Sequence, residues 1–540
     1  MNSFKPMLLT SLKSYDRAQF AKDVTAGIIV AIIALPLSIA LALASGVGPE
    51  AGIFTAIVAG FVISALGGSC VQIAGPTAAF ATIVAGIVAR DGLEGLMTAT
   101  ILAGVFLIIM GFCHFGSLIK FIPYTITTGF TSGIAVTIVI GQLKDFCGVT
   151  YPAGVKPIET MEKLKAFAEN FSTISPDALI VGGVSLAILI VSPLIFKKIP
   201  GSLIAVIAGI LMVQFLPLHV STIGNLYTIS NALPTLHLPV FDMKLIQSAI
   251  PNAFTIAVLA AIESLLSCVV ADGMINSKHR SDTELIAQGA GNIASALFGG
   301  IPATGAIART AANIKNGGRT PVAGMVHSIT LVIVLVVLMP FAGMIPMPTI
   351  AAILFLVAYN MCQWRTFVHL VRTAPKSDII VLFTTFVLTV VFDLVVAIEI
   401  GMVLACLLFI KRMSEETHAD SWVYVDDDSP AVDEHLQKLP LEIRVYEITG
   451  PLFFGAADAI EHIVVKDFTK CLVLRMRSVP AIDSTAMNAL QNLTNLCESK
   501  GITLVFSHVN EQPMKVMKKS GFVELVGEEN FCSNISDALK

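Results

Sequence analysis

The chain has 540 residues, 55% hydrophobic and only 13% charged, with a formal net charge of −4 and a mean hydropathy of +0.82. Soluble proteins carry about 25% charged residues, and many apolar runs here reach the roughly 20 residues that cross a bilayer as helix. A soluble globule is therefore excluded. The runs are continuous rather than alternating, which argues against a membrane β-barrel.

In chain order, Lys5, Lys13, Arg17 and Lys22 precede a first apolar run. That run is too long for a signal h-region and reads as a retained span. Spans are predicted at 24–44, 51–66, 70–89, 93–113, 120–140, 178–196, 201–216, 251–271, 283–298, 302–315, 322–343, 347–362, 378–393 and 394–411. The more polar segments 142–176 and 217–250 read as external loops. With the N-terminus inside, the basic groups Lys197–Lys198, "SKHR" (277–280), Lys315 with Arg319, Arg365 with Arg372 and Lys376, and Lys411–Arg412 all fall on the cytoplasmic side, as the positive-inside rule requires. Fourteen spans return the C-terminus to that side.

Residues 1–412 thus form a membrane domain. Residues 413–438, acidic and polar ("SEETHAD", "VDDDSP"), read as a linker. In 439–540, "EIRVYEITG", "CLVLRMR" and "ITLVFSHV" read as strands, and "STAMNALQNLTNLCESKG" and "EQPMKVMKKSG" as helices. Such alternation implies a small α/β domain. Nine cysteines with no CxxC pair suggest neither a disulfide framework nor a metal site. No cofactor, nucleic-acid partner or enzymatic constellation is expected; the glycine stretches lack the lysine of a phosphate-binding loop.

Two stretches match. "SALGG" at Ser64 recurs as "SALFGG" at Ser295, and "TAA" recurs at Thr77 and Thr310. The copies fall on spans 3 and 10, an odd number of crossings apart. The membrane domain therefore reads as two seven-span inverted repeats, about 20–216 and 250–411. Short Gly/Pro-interrupted segments at matching positions mark the substrate site of such transporters. Gly75–Pro76 and Gly305 break their spans mid-membrane. Helix N-termini exposed there carry unpartnered amides and partial positive charge, which attract an anion. Ala74, Thr77, Ala78, Gly305 and Ala306 let backbone approach it.

Arg309, one turn beyond Gly305, reads either as an anion counter-charge or as a residue snorkelling toward the cytoplasmic end of its span. Glu263, in "AAIESLLSCVVADGM", must be paired, protonated or cation-bound. It reads either as a coupling-ion carrier, with Ser267 one turn along, or as a structural partner of Arg309. Glu284, Gln288 and Asn292 recur every four residues, a polar stripe that either lines the cavity or bonds a neighbouring helix. Asp393 and Glu399 are assigned no role.

"KDVTAGIIVAIIALPLSIALALASGVGPEAGIFT", "GPTAA", "AIESLLSCVVADGM" and "GAIARTAANI", with "ITGPLFFGAAD" and "VPAIDSTAMNAL" downstream, together resemble a SulP anion permease, the bacterial branch of solute carrier family twenty-six, carrying a STAS domain. The resemblance implies a core domain that moves against a gate domain in an elevator-like shift, a cytoplasmic STAS domain at 439–540, a homodimer and residence in the cytoplasmic membrane. It implies an anion site at Gln72, Ala74, Thr77, Ala78, Gly305, Ala306 and Arg309, with Glu263 as the coupling carboxylate. Sodium-coupled bicarbonate members have aspartate at the Glu263 position and threonine near Ile307. The departures here favour a proton over sodium. Sulfate is the family-default substrate, with fumarate or succinate and bicarbonate as alternatives. An anion channel or exchanger, or a sensor signalling through the STAS domain, are rivals of another class. Ser484 sits where related STAS domains place a phosphorylatable serine, and also where a helix N-cap belongs.

Overall fold

The computed structural model describes residues 4–117, 122–152, 155, 157–195, 200–239, 242–392, 394–421, 440 and 442–539. Lys197, Lys198, Asp393, residues 422–438 of the expected linker and residue 439 lie outside the described residues. The chain divides into two compact units, Met1–Met402 and Val403–Lys540.

The first unit opens with α1 (Arg17–Ala44), α2 (Pro49–Leu66), the two-residue strand β1 (Ala74–Gly75) and α3 (Ala81–Phe112), then α4 (Tyr124–Cys147), α5 (Pro176–Ile195) and α6 (Gly201–Phe215). The same opening order returns in α7 (Met243–Ile275), α8 (Ser281–Leu297), β2 (Thr304–Gly305) and α9 (Ile307–Lys315). It continues with α10 (Val322–Ala342), α11 (Met347–Cys362), α12 (Trp364–Thr373), α13 (Lys376–Val391) and α14 (Leu394–Glu415), which crosses the boundary between the units. Eight helical stretches among the described residues are long and apolar enough to cross a membrane.

Local chemistry sets several boundaries. Asp16 caps α1 by accepting from Gln19 N. Pro49 starts α2, where its missing N–H costs nothing. Gly92, at φ +71°, breaks α3 between the predicted third and fourth spans, a conformation open to glycine at no steric cost. The expected loop around Arg365 and Arg372 instead forms the amphipathic helix α12, with no buried residue.

The helices pack as two groups. In one, α8 lies against α2 and α3, α7 against α3 and α9, and α10 against α1 and α2; in the other, α4 packs on α11 and α13, and α5 on α11. Small residues permit the closest approach. A methyl group on Gly104 would strike the carbonyl of Gly289, and one on Gly289 that of Gly104. Membrane helices associate through such small-residue contacts.

The second unit holds a five-stranded sheet in the order β3 (His418–Ser421), β4 (Ile443–Thr449), β5 (Cys471–Ser478), β6 (Thr503–Ser507), β7 (Phe531–Cys532). β3 pairs antiparallel with β4 and the others are parallel. β3 lies inside the stretch read as a linker; its four residues are too short and polar to signal a strand. The helices α15 (Ser484–Ser499) and α16 (Glu511–Lys519) follow β5 and β6. Leu474, Phe506, Leu490 and Met517 meet in their shared core.

Candidate functional site

β1 and β2 pair antiparallel, Ala74 opposite Gly305 and Gly75 opposite Thr304. Each strand leads at once into a helix. Thr77, in extended conformation, caps the short turn Ala78–Phe80 that opens into α3; Ala306 does the same for α9. The predicted breaks in spans 3 and 10 are therefore half-helices preceded by extended chain. Two helix N-termini start from one crossing. By helix geometry the amides at 78–80 and 307–309 have no intrahelical acceptor, and each end carries about half a positive charge.

Extended backbone inside an apolar bundle needs partners for its peptide groups. α8 supplies many of them. Glu284 Oε2 accepts from Gly68 N (2.8 Å) and Ser69 N (3.2 Å). Its Oε1 accepts from Gln72 Nε2 (2.9 Å) and Gln288 Nε2 (2.8 Å). Asn292 holds Ala303 by both peptide groups, accepting from its N–H (2.8 Å) and donating to its C=O (2.9 Å). Ser295 donates to Ile301 O. The polar stripe thus bonds the non-helical chain of the crossing, an outcome between the two sequence readings.

Other elements contribute in the same way. Gly305 N donates to Ser264 Oγ (3.0 Å), Asn313 Nδ2 to Val71 O (2.9 Å), and Ile73 N to Thr310 Oγ1 (3.1 Å). Ser264, Asn313 and Thr55, which bonds Ile301 N, were missed by sequence reasoning. Their signal was there: each is a polar residue inside an apolar run.

Arg309 is 1% exposed. Its Nη2 donates to Ser38 Oγ (3.3 Å) and Pro76 O (3.2 Å). Nε and Nη1 have no hydrogen-bond partner among the described residues. Only because residue 75 is glycine can the guanidinium lie there; a Cβ would overlap Nη1. The residue does not snorkel, since α9 is amphipathic and turns this side chain back under the crossing. No ion pair joins Arg309 to Glu263 among the described residues. A buried cation without a counter-ion is costly, and here it lies beneath two convergent helix N-termini.

Glu263 is half-buried on α7, as is Thr77 at the cap of the turn Ala78–Phe80. Thr77, Ala306 and Glu263 are half-buried, and Ile307 and Ala308 exposed. These form the accessible rim. Ala74, Ala78 and Gly305 are buried in the crossing itself.

Two predicted residues sit elsewhere. Gln72 is 4% exposed; its amide nitrogen is committed to Glu284 and Ser264 O, and its oxygen accepts from the Cys268 thiol. It braces the crossing from behind, against Gly305. Ser267 is turned toward Thr310 Oγ1 (3.5 Å). The match of "TAA" at Thr77 and Thr310 is no structural equivalence either. Thr77 is the N-cap of its turn, whereas the N-cap of α9 is Ala306 and Thr310 is the fourth residue of that helix. In the second unit Asp483, not Ser484, caps α15, accepting from Ala486 N. Ser484 is the exposed first helical residue.

The model of the sulfate permease family matches residues 20–385, and that of the STAS domain matches residues 438–538. A putative sulfate transporter of Bacillus subtilis, YvdB, is 38% identical over 531 residues, covering 96% of this chain and 97% of its own. The bicarbonate transporter BicA of Picosynechococcus sp. is 34% identical over 488 residues, covering 87% and 85%. The murine Slc26a9 anion transporter in its inward-facing state superimposes with a TM-score of 0.87 over 98% of this chain and 93% of its own, at 18% identity; at that identity the likeness is one of fold.

Proposed function

Because the chain belongs to the sulfate permease family, we propose that it is a secondary transporter of small oxyanions in the cytoplasmic membrane, sulfate foremost. The observation that carries this reading is Arg309: a fully buried cation without a counter-ion among the described residues, seated under two helix N-termini. An oxyanion at the rim of Thr77 and Ala306 meets the amides at 78–80 and 307–309, with the positive potential of Arg309 behind them. Ser38 and Pro76 hold that charge in place.

Glu263 supplies the coupling. An ionised carboxylate beside the anion site repels the substrate; a protonated one does not, and it gains a donor. Anion and proton therefore load together, which is symport. Ser264, the neighbour of Glu263, accepts from Gly305 N and so ties this part of α7 to the crossing. The two packed groups of helices suit an elevator-like shift of the group that holds the crossing. On the family resemblance, both termini face the cytoplasm and the protein works as a homodimer.

Bicarbonate is the second reading, favoured by the 34% identity to a bicarbonate transporter. Uptake of labelled sulfate, bicarbonate, fumarate and succinate into proteoliposomes, with and without an inward proton gradient, tests both. Saturable uptake of one anion, raised by the gradient, is expected. No uptake of any anion overturns the transport reading; uptake indifferent to pH overturns symport and favours a channel or exchanger.

A further inference from the structure

His327 lies on α10, fully buried at 0% exposure, and neither ring nitrogen has a hydrogen-bond partner among the described residues. Buried polar groups are rarely left so. Arg309 leaves Nε and Nη1 equally unpartnered. The two side chains flank one short strand. A Cβ on Gly75 would meet Arg309 Nη1 and, at 3.6 Å, the Cα of Ala56. A Cβ on Gly60, one turn along α2 from Ala56, would meet Ala74 O at 3.3 Å and His327 Nδ1 at 3.9 Å.

The chemistry is complementary. A guanidinium has donors only, while a neutral imidazole has an acceptor nitrogen. The other acceptors bound to Arg309, Ser38 Oγ and Pro76 O, are both taken by Nη2. α10 also packs on α1, which carries Ser38. We propose that His327 is the positioning residue of Arg309, accepting across one water from one of its remaining N–H groups and so fixing the guanidinium under the crossing. This rests on the reading of Arg309 as the charge that draws the anion. His327 never touches the substrate; it acts through Arg309.

The test is a double-mutant cycle in proteoliposomes, with labelled sulfate and labelled bicarbonate as probes. His327→Phe keeps a ring of similar size without the acceptor, and should raise KM about tenfold with kcat changed less than about threefold, a lost hydrogen bond to a charged group. His327→Gln restores an acceptor and should return KM to within about threefold of the parent. In an Arg309→Ala background His327→Phe should have no further effect, because coupled residues are non-additive. Additive effects, or an unchanged KM in His327→Phe, overturn the inference. If His327→Phe does not fold, the Gln variant decides: a tenfold KM rise there overturns it, and a parental KM supports it. If Arg309→Ala itself leaves KM unchanged, the underlying reading of Arg309 fails, which is a separate result.

Discussion

Arg309 donates through Nη2 to the carbonyl of Pro76 at 3.2 Å, so the buried charge of the second half-helix is tied to the residue just before the cap of the first. The bond turns that carbonyl toward the cation. It leaves the amides beyond Thr77 to set the local potential. Charge and helix ends thereby form one positive site from two distant parts of the chain.

Replacing Arg309 by alanine should weaken anion binding by about 1–3 kcal/mol, the worth of a hydrogen bond to a charged group. Arg309→Lys should recover only part of this, since a compact ammonium does not reproduce the planar guanidinium that lies against Gly75 while Nη2 bonds Ser38 and Pro76. Equilibrium binding of labelled anion to purified protein checks both. An unchanged affinity in Arg309→Ala would remove the residue from the site.

Glu263→Gln mimics a permanently protonated carboxyl. It should abolish accumulation driven by a proton gradient while anion exchange across the membrane persists. Counterflow and gradient-driven uptake, measured on the same vesicles, separate the two. Gradient-driven accumulation at the parental rate would exclude Glu263 as the carrier.

Glu284 accepts from four donors at once, Gly68 N, Ser69 N, Gln72 Nε2 and Gln288 Nε2. Glu284→Gln places an NH2 against donors on one side. The expected cost is about 1–3 kcal/mol for the unsatisfied group, seen as a lower melting temperature in detergent. A parental melting temperature would mean that the network rearranges freely.

Gly305→Ala would drive a methyl into the Gln72 amide. Overpacking of this kind costs about 1–3 kcal/mol, and the displaced Gln72 would release Glu284 as well. Transport should fall by more than stability, because β2 sets the position of the α9 amides. Uptake per correctly folded molecule, judged by monodisperse chromatography, is the measurement. Full activity would show that the close contact at 305 is not required.

In the second unit, Asp483 accepts from both Ala486 N and Phe454 N. Asp483→Ala should cost about 0.5–2 kcal/mol as a lost helix cap and speed amide exchange at the start of α15. Ser484→Ala should leave exchange there unchanged. A change confined to Ser484→Ala would reverse the assignment of the cap.

How much was legible depended on range. The apolar runs, the basic loops and the Gly–Pro interruptions are local patterns, and they located the membrane helices, the α/β unit and both halves of the crossing. The order of α1, α2, β1, α3 and its return in α7, α8, β2, α9 was visible in the repeated "SALGG". What a side chain faces was not. Gln72, Ser267 and Arg309 all lie on segments that meet at the crossing, yet the first two point into its supports and the third beneath its floor. His327, a lone histidine in an apolar run, marked a buried polar group but not what it faces. Periodicity and composition report which segments are buried and where they break, because those are properties of neighbours along the chain. Which donor meets which acceptor across some two hundred residues is decided only when Ala74 and Gly305 come together, since a buried polar group takes the partner that packing leaves within reach.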